Sequence, residues 1–182
     1  MLNRWRALAR DRSGLAAVEF ALIAPVLVTL LLGTVEVCDA LSCHEKVTML
    51  ASTGADLVAQ ATSVSATDMT NIFDADSAVL FPYNGSSAQI VISSIVSDGK
   101  GGGTVAWSHA QNTAPLAANT PVTVPTGLMD QSRCPANACS VILATVSYAY
   151  TSPIGKFLVG TVTMTDSFYE RPRRSATVSY TG

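Results

Sequence analysis

The chain has 182 residues, room for one domain and an anchor, with 48% hydrophobic and only 13% charged side chains. Its net charge of −2 is unevenly placed: residues 1–14 hold four arginines against one aspartate, net +3, and the rest holds seven basic against twelve acidic side chains, net −5. An acidic body excludes a nucleic-acid binder, which needs Lys and Arg to neutralise phosphates, and the basic head has the composition of a cytoplasmic flank.

The first element is the apolar run of 21 residues from Leu15 to Val35, broken by Glu19. As a helix rising about 1.5 Å per residue it reaches roughly 31 Å, the thickness of a hydrocarbon core. Arginines precede it and Glu36, Asp39 and Glu45 follow it. The positive-inside rule therefore expects a cytoplasmic N-terminus and a body across the membrane. The run is too long for a secretory signal core, and "TVEVCDA" offers no small-x-small cleavage site. Glu36 and Val37 before Cys38 make a poor lipidation site. A plain signal anchor fits but leaves Glu19 unexplained; a charge at the centre of a span costs on the order of 2.5–3.5 kcal/mol, less near the interface. Pro25 lies within the run, where it either bends the helix or serves packing.

A basic leader, Gly14, small apolar residues, Glu19, the aromatic Phe20 and the span form one pattern. It resembles the processing site of type IV prepilins, which a membrane-embedded peptidase cuts after the glycine. The wording "AAVEFALIAPVLVTLLLGTVE" is similar to the start of TadE-like proteins, the minor pseudopilins of Tad systems that build Flp-type IVb pili. Gly14, Glu19, Phe20, Ala21, Leu22 and Pro25 fall where that family's motif puts them. Leu15 stands where the family usually has Ala or Ser. The resemblance is strong over residues 10–37, and "FYERPRRS" (168–175) resembles the Arg-Pro-Arg stretch late in such chains. It implies Gly14 and Leu15 as the processing site and Glu19, Phe20 and Pro25 as assembly residues. Glu19 would be the fifth residue after cleavage. Its carboxylate could pair with the new α-amine of a neighbouring subunit, where low dielectric makes an unpaired charge expensive.

Beyond the span, Val47, Leu50, Ala51, Gly54, Leu57, Val58 and Ala61 recur at three- and four-residue steps. That periodicity predicts an amphipathic helix, so one long helix is expected from about Leu15 to Ala61. "SATD" (65–68) is an imperfect capping box for a short helix over Ala66 to Phe73. The β-branched "AQIVISSIV" (88–96), the glycine turn "SDGKGGG" and the alternating "TVAWSHA" (104–110) read as a hairpin. The glycine turn lacks a following Gly-Lys-Ser/Thr and joins two strands, so it is no phosphate loop. "PVTVP" (121–125) reads as an edge segment and "CSVILATVSYAY" (139–150) as the strongest strand. "LVGTVTMTDSFYE" (158–170) and "SATVSY" (175–180) complete a sheet of four to six strands.

The fold class expected is α+β, pilin-like, with a long N-terminal helix packed on a C-terminal antiparallel sheet. Four segments follow: a basic leader 1–14, a span 15–37, an amphipathic continuation 38–63 and a periplasmic α+β domain 64–182.

Cys134 and Cys139 bracket "PANA" before the strongest strand. In an oxidising compartment this reads as a disulfide pinning a loop; a metal site is the rival, with neither histidine nearby in sequence. Cys38 and Cys43 point about 140° apart on a helix, too far for an internal bridge, leaving buried or unbridged thiols or an intermolecular bond. His44 and His109 lack obvious partners, and no HExxH, CxxC, paired-carboxylate or nucleophile-elbow motif occurs. No catalytic residue, metal, cofactor or small-molecule substrate is therefore expected. Arg171, Arg173 and Arg174 form either a solvated basic patch or a contact for a partner's acidic surface or lipid headgroups.

The resemblance implies a bacterial inner-membrane pseudopilin that takes part in Tad/Flp pilus biogenesis, in initiation or assembly, and so in adhesion and surface colonisation. Its expected partners are a prepilin peptidase, other pseudopilins and Flp pilin, and inner-membrane lipid. The rival readings are an unprocessed single-pass periplasmic binding or sensor domain, and an anchored periplasmic hydrolase.

Overall fold

A computed structural model describes residues 14–129, 134–152 and 160–182. Of the expected leader 1–14, residues 1–13 lie outside them. The chain divides into two compact units, Met1–Asp39 and Ala40–Gly182. Helix α1 runs Leu15–Ala59, and the division falls within it.

In the second unit α1 buries Cys43, Val47, Leu50, Ala51, Gly54, Ala55, Val58 and Ala59. These recur at three- and four-residue steps, so one stripe faces the core. Gly54 marks the closest approach. A Cβ there would collide with the Asp76 carboxylate and press on Ile92.

After α1 come β1 (Ser63–Val64) and α2 (Ala66–Val79). The capping box is complete, since the Ser65 hydroxyl accepts from the Asp68 N–H at 3.2 Å and the Ser65 N–H donates to Asp68 Oδ2 at 2.9 Å. Two orphan groups of the helix start are thereby satisfied. The helix continues past Phe73, where the sequence pattern had ended it. Met69, Phe73 and Asp76 share its buried side, and the polar residue in that slot hides the periodicity.

A five-stranded antiparallel sheet follows in the order β4-β3-β2-β5-β6, with β2 Gln89–Ser97, β3 Gly103–Gln111, β4 Pro121–Val122, β5 Ser140–Thr151 and β6 Thr161–Glu170. The β2–β3 turn is built on Gly99 and Gly101 at positive φ, with Asp98 Oδ1 accepting the Lys100 and Gly102 N–H groups. One sheet face carries Ile90, Ile92, Ile142, Ala144 and Val146 into a core shared with α1 and α2. The opposite face is covered at one end by Val124 and Met129, packed on Ile95, Val105, Val141 and Leu143.

The C-terminal expectation is corrected. Only Ser179–Tyr180 forms a strand, β7, and it pairs in parallel with β1 outside the five-stranded sheet. The physical reason is the route of the chain. The Arg173 N–H donates to the Ala59 carbonyl and the Ser140 N–H donates to the Ala176 carbonyl, which carries the segment across the end of α1 toward β1. Trp107 then holds it, with Nε1 donating to the Val178 carbonyl at 2.8 Å and the indole packed near His109 and Tyr180. A bulge at Ala106 puts Ser94 opposite Trp107 and Ile95 opposite Val105.

Candidate assembly surface

Gly14 sits one residue outside α1, and its carbonyl accepts the Val18 N–H at 3.2 Å. The Gly14–Leu15 peptide bond therefore lies at the junction of turn and helix. Glu19 is four residues into α1 and Phe20 five, and both are exposed. Leu15 and Glu19 share a face by their spacing. Pro25 lies inside the helix and offers no N–H to the carbonyl four residues back. The Thr29 hydroxyl donates to the Pro25 carbonyl and the Thr34 hydroxyl to the Leu30 carbonyl, each at 2.8 Å. Both hydroxyls thus hide their polarity within the helix, as an apolar surrounding demands.

The apolar side chains of this stretch are open. Leu15, Val18, Phe20, Leu22, Ile23, Val26 and Leu30 are all exposed large hydrophobics. The most apolar window of α1 has mean hydropathy 2.5 with none of it buried, and the helix is long and apolar enough to cross a membrane.

In the second unit the sequence-singled residues have definite partners. Cys134 and Cys139 form a disulfide with Cα atoms 5.3 Å apart. The Ser97 hydroxyl donates to the Cys134 carbonyl, and the Ser97 backbone exchanges bonds with Cys139 and Asn137. The bridge thus ties the end of β2 to the start of β5. Cys38 is exposed and Cys43 buried, and neither forms a disulfide.

Arg171 donates to the Gly127 and Leu128 carbonyls at 2.8 and 2.6 Å, clamping the segment that carries Met129. Arg173 pairs with Asp56 and Glu170 and caps the last carbonyl of α1. A cation at a helix C-terminus is favourable, though pairs this exposed contribute at most about 1 kcal/mol. Arg174 is exposed and shows no partner among the described residues. Apart from the local Arg173–Glu170 pair, sequence proximity could not reveal these contacts, because they join residues more than 40 positions apart.

Sequence reasoning also missed Asp76. It is fully buried, and neither carboxylate oxygen has a hydrogen-bond partner. Burial pushes its pKa up to about 7, so the carboxyl is mostly neutral below that pH. Asp68 goes the other way: the Ser65 hydroxyl and then the Ser65 N–H hold it below the usual carboxylate range. Burial lowers His109. Among the described residues no group of three or more His, Cys, Asp or Glu is placed to hold a metal ion.

These features define a class: an α+β protein whose N-terminal helix begins with an exposed apolar stretch and ends packed on an antiparallel sheet. Residues 14–56 match the family model described as TadE-like protein, so this stretch is similar to that family, the one its sequence motif resembles. The match begins at Gly14 and covers nearly all of α1. No curated protein and no solved structure matches the chain.

Proposed function

We propose that the chain is a membrane-anchored minor pseudopilin acting in Tad/Flp pilus biogenesis after a prepilin peptidase cleaves between Gly14 and Leu15. The observation that carries this reading is the helix start. The glycine lies just outside α1, Leu15 is its first residue, and Glu19 is exposed one turn further on. Cleavage there would leave an α-ammonium on the first residue of a ready helix. Glu19 of an adjacent subunit can neutralise it, and in an apolar surrounding that pairing sets the register between helices. The open leucines and valines of the same stretch would then meet lipid or neighbouring helices.

The role is structural, with the chain as substrate of the peptidase. Its partners in this reading are related pseudopilins, Flp pilin and inner-membrane lipid. The charge asymmetry supports a cytoplasmic leader and a periplasmic domain, and the disulfide suits that compartment.

The test is complementation of a deletion strain. Glu19→Ala is expected to leave leader cleavage intact while surface pili, sheared and quantified, stay near the level of the deletion. Full restoration of pili by Glu19→Ala would contradict the assembly role.

A further inference from the structure

We infer that a cleft over the Cys134–Cys139 disulfide, flanked by Arg171 and Arg174, binds a glutamate side chain presented by a partner protein. This deepens the proposed assembly role and rests on it for the protein source of the carboxylate. The cleft has a volume of about 170 Å³. That is below the roughly 300–1,000 Å³ of a site for a drug-sized ligand, and it suits a single side chain. Leu128, Pro172 and the disulfide give it apolar walls, and Arg171 and Ser175 also line it.

Two groups in this cleft call for an anion. The Arg171 guanidinium is held by its Nη2, which donates to the Gly127 and Leu128 carbonyls. Its Nε and Nη1 have no partner among the described residues, so a cation already fixed in place keeps donors open. The second group is the Ser175 hydroxyl, which is buried and has no hydrogen-bond partner. A buried hydroxyl left unpaired is costly, and a ligand oxygen would satisfy it. The other hydroxyl of the cleft, that of Ser140, donates to the Ala176 carbonyl.

Charge supports the same ligand. Three of the seven basic residues beyond residue 14 fall between Arg171 and Arg174, in a body of net −5. The neighbouring carboxylates Asp56 and Glu170 are both engaged by Arg173. Arg174 precedes Ser175, is exposed, and has no partner among the described residues. Arg171 and Arg174 therefore leave positive charge at the cleft, complementary to a carboxylate. The acidic body around it suits a partner whose surface is otherwise neutral or basic, which a second copy of this chain is not.

Shape and position favour glutamate over a phosphate. The apolar walls accept the two methylenes of a glutamate while its carboxylate meets Arg171, and a phosphate has no apolar stem to place there. The Arg173 N–H bonds the Ala59 carbonyl, so the cleft lies by the Ala59 end of α1. The chain enters this unit from the proposed span at Ala40, roughly 28 Å of helix rise away. A lipid headgroup is therefore the less suited source of the anion.

The first test titrates glutarate, a soluble carboxylate with a short apolar stem, into the detergent-solubilised full-length chain and follows the arginine Nε–H resonances. The Arg171 signal is expected to shift and saturate. Ala176→Phe fills the cleft from an exposed position and should raise the glutarate needed about tenfold. Arg174→Gln should raise it about threefold, and thermal unfolding of both variants should be unchanged. An unmoved Arg171 signal, a titration indifferent to Ala176→Phe, or tighter binding of inorganic phosphate at matched ionic strength overturns the inference. The second test places a photo-cross-linker in cells as Ala138→p-benzoylphenylalanine, beside the lining residue Cys139. An adduct with a glutamate-bearing segment of another protein is expected, lost when Ala176→Phe is added. An adduct with lipid or a second copy, one insensitive to Ala176→Phe, or none overturns the inference. Cleavage at Leu15 without the expected adduct defeats the cleft alone, whereas an intact Met1 with that adduct defeats the processing reading alone.

Discussion

Between Leu15 and Asp39 helix α1 shows its large apolar side chains, Leu22 at 74% exposure and Leu30 at 63%. Between Ala40 and Ala59 the same helix hides smaller ones, with Ala55 and Val58 at 0%. The more hydrophobic stretch is the less buried. A globular core needs one apolar stripe with small residues where elements approach closely, as at Gly54. An apolar surrounding accepts large side chains on every side of a helix and asks only that polar groups be satisfied, as Thr29 and Thr34 are.

Truncation on the two stretches should break this symmetry most sharply. Leu50→Ala removes a fully buried side chain and is expected to lower the stability of the folded unit by about 2–5 kcal/mol. Leu30→Ala should change it by less than about 0.5 kcal/mol. Denaturant unfolding of the detergent-solubilised chain compares the two. Equal costs would mean that the first stretch is also part of a protein core.

The next effect concerns the disulfide. Cys134 and Cys139 are five positions apart, and opening so short a loop should cost about 2 kcal/mol. Cys134→Ser with Cys139→Ser, measured with and without reductant, checks it. The wild type should lose stability on reduction and the double variant should not respond.

Asp76, on α2 and packed against Gly54 of the second stretch, sets a pH dependence in the folded unit. Its folded pKa, about 7, stands above the ordinary aspartate value of 3.8, so between those values the folded state keeps a proton that the unfolded state has released. Stability from this group is complete below about pH 4, falls as pH rises by at most about 1.4 kcal/mol per unit, and levels off above 7. Thermal unfolding from pH 5 to 8 should show a loss that Asp76→Asn flattens. An unchanged slope in the variant would assign the titration elsewhere.

The smallest effect is at the start of α2. Ser65→Ala removes half of the capping box and should cost about 1 kcal/mol, again by denaturant unfolding.

Legibility in the sequence followed the range of the interactions. The span, the capping box, the β2–β3 hairpin and β5 rest on local periodicity and turn residues, and they were readable. The Cys134–Cys139 spacing carried its bridge. Asp76 concealed the second half of α2 by occupying an apolar slot. The two-residue strands β1 and β7 have no periodicity to read, and their parallel pairing depends on where Arg173 crosses the end of α1. The proposed processing and assembly residues rest on a motif, Gly14, Leu15 and Glu19 lying within six consecutive positions.

The most direct measurement is the intact mass and N-terminal peptide of the chain extracted from membranes, with and without the candidate prepilin peptidase. Here the account predicts a chain beginning at Leu15 only when the peptidase is present. A chain that still begins at Met1 in both strains would contradict it and leave an unprocessed anchored binding or sensor domain in its place.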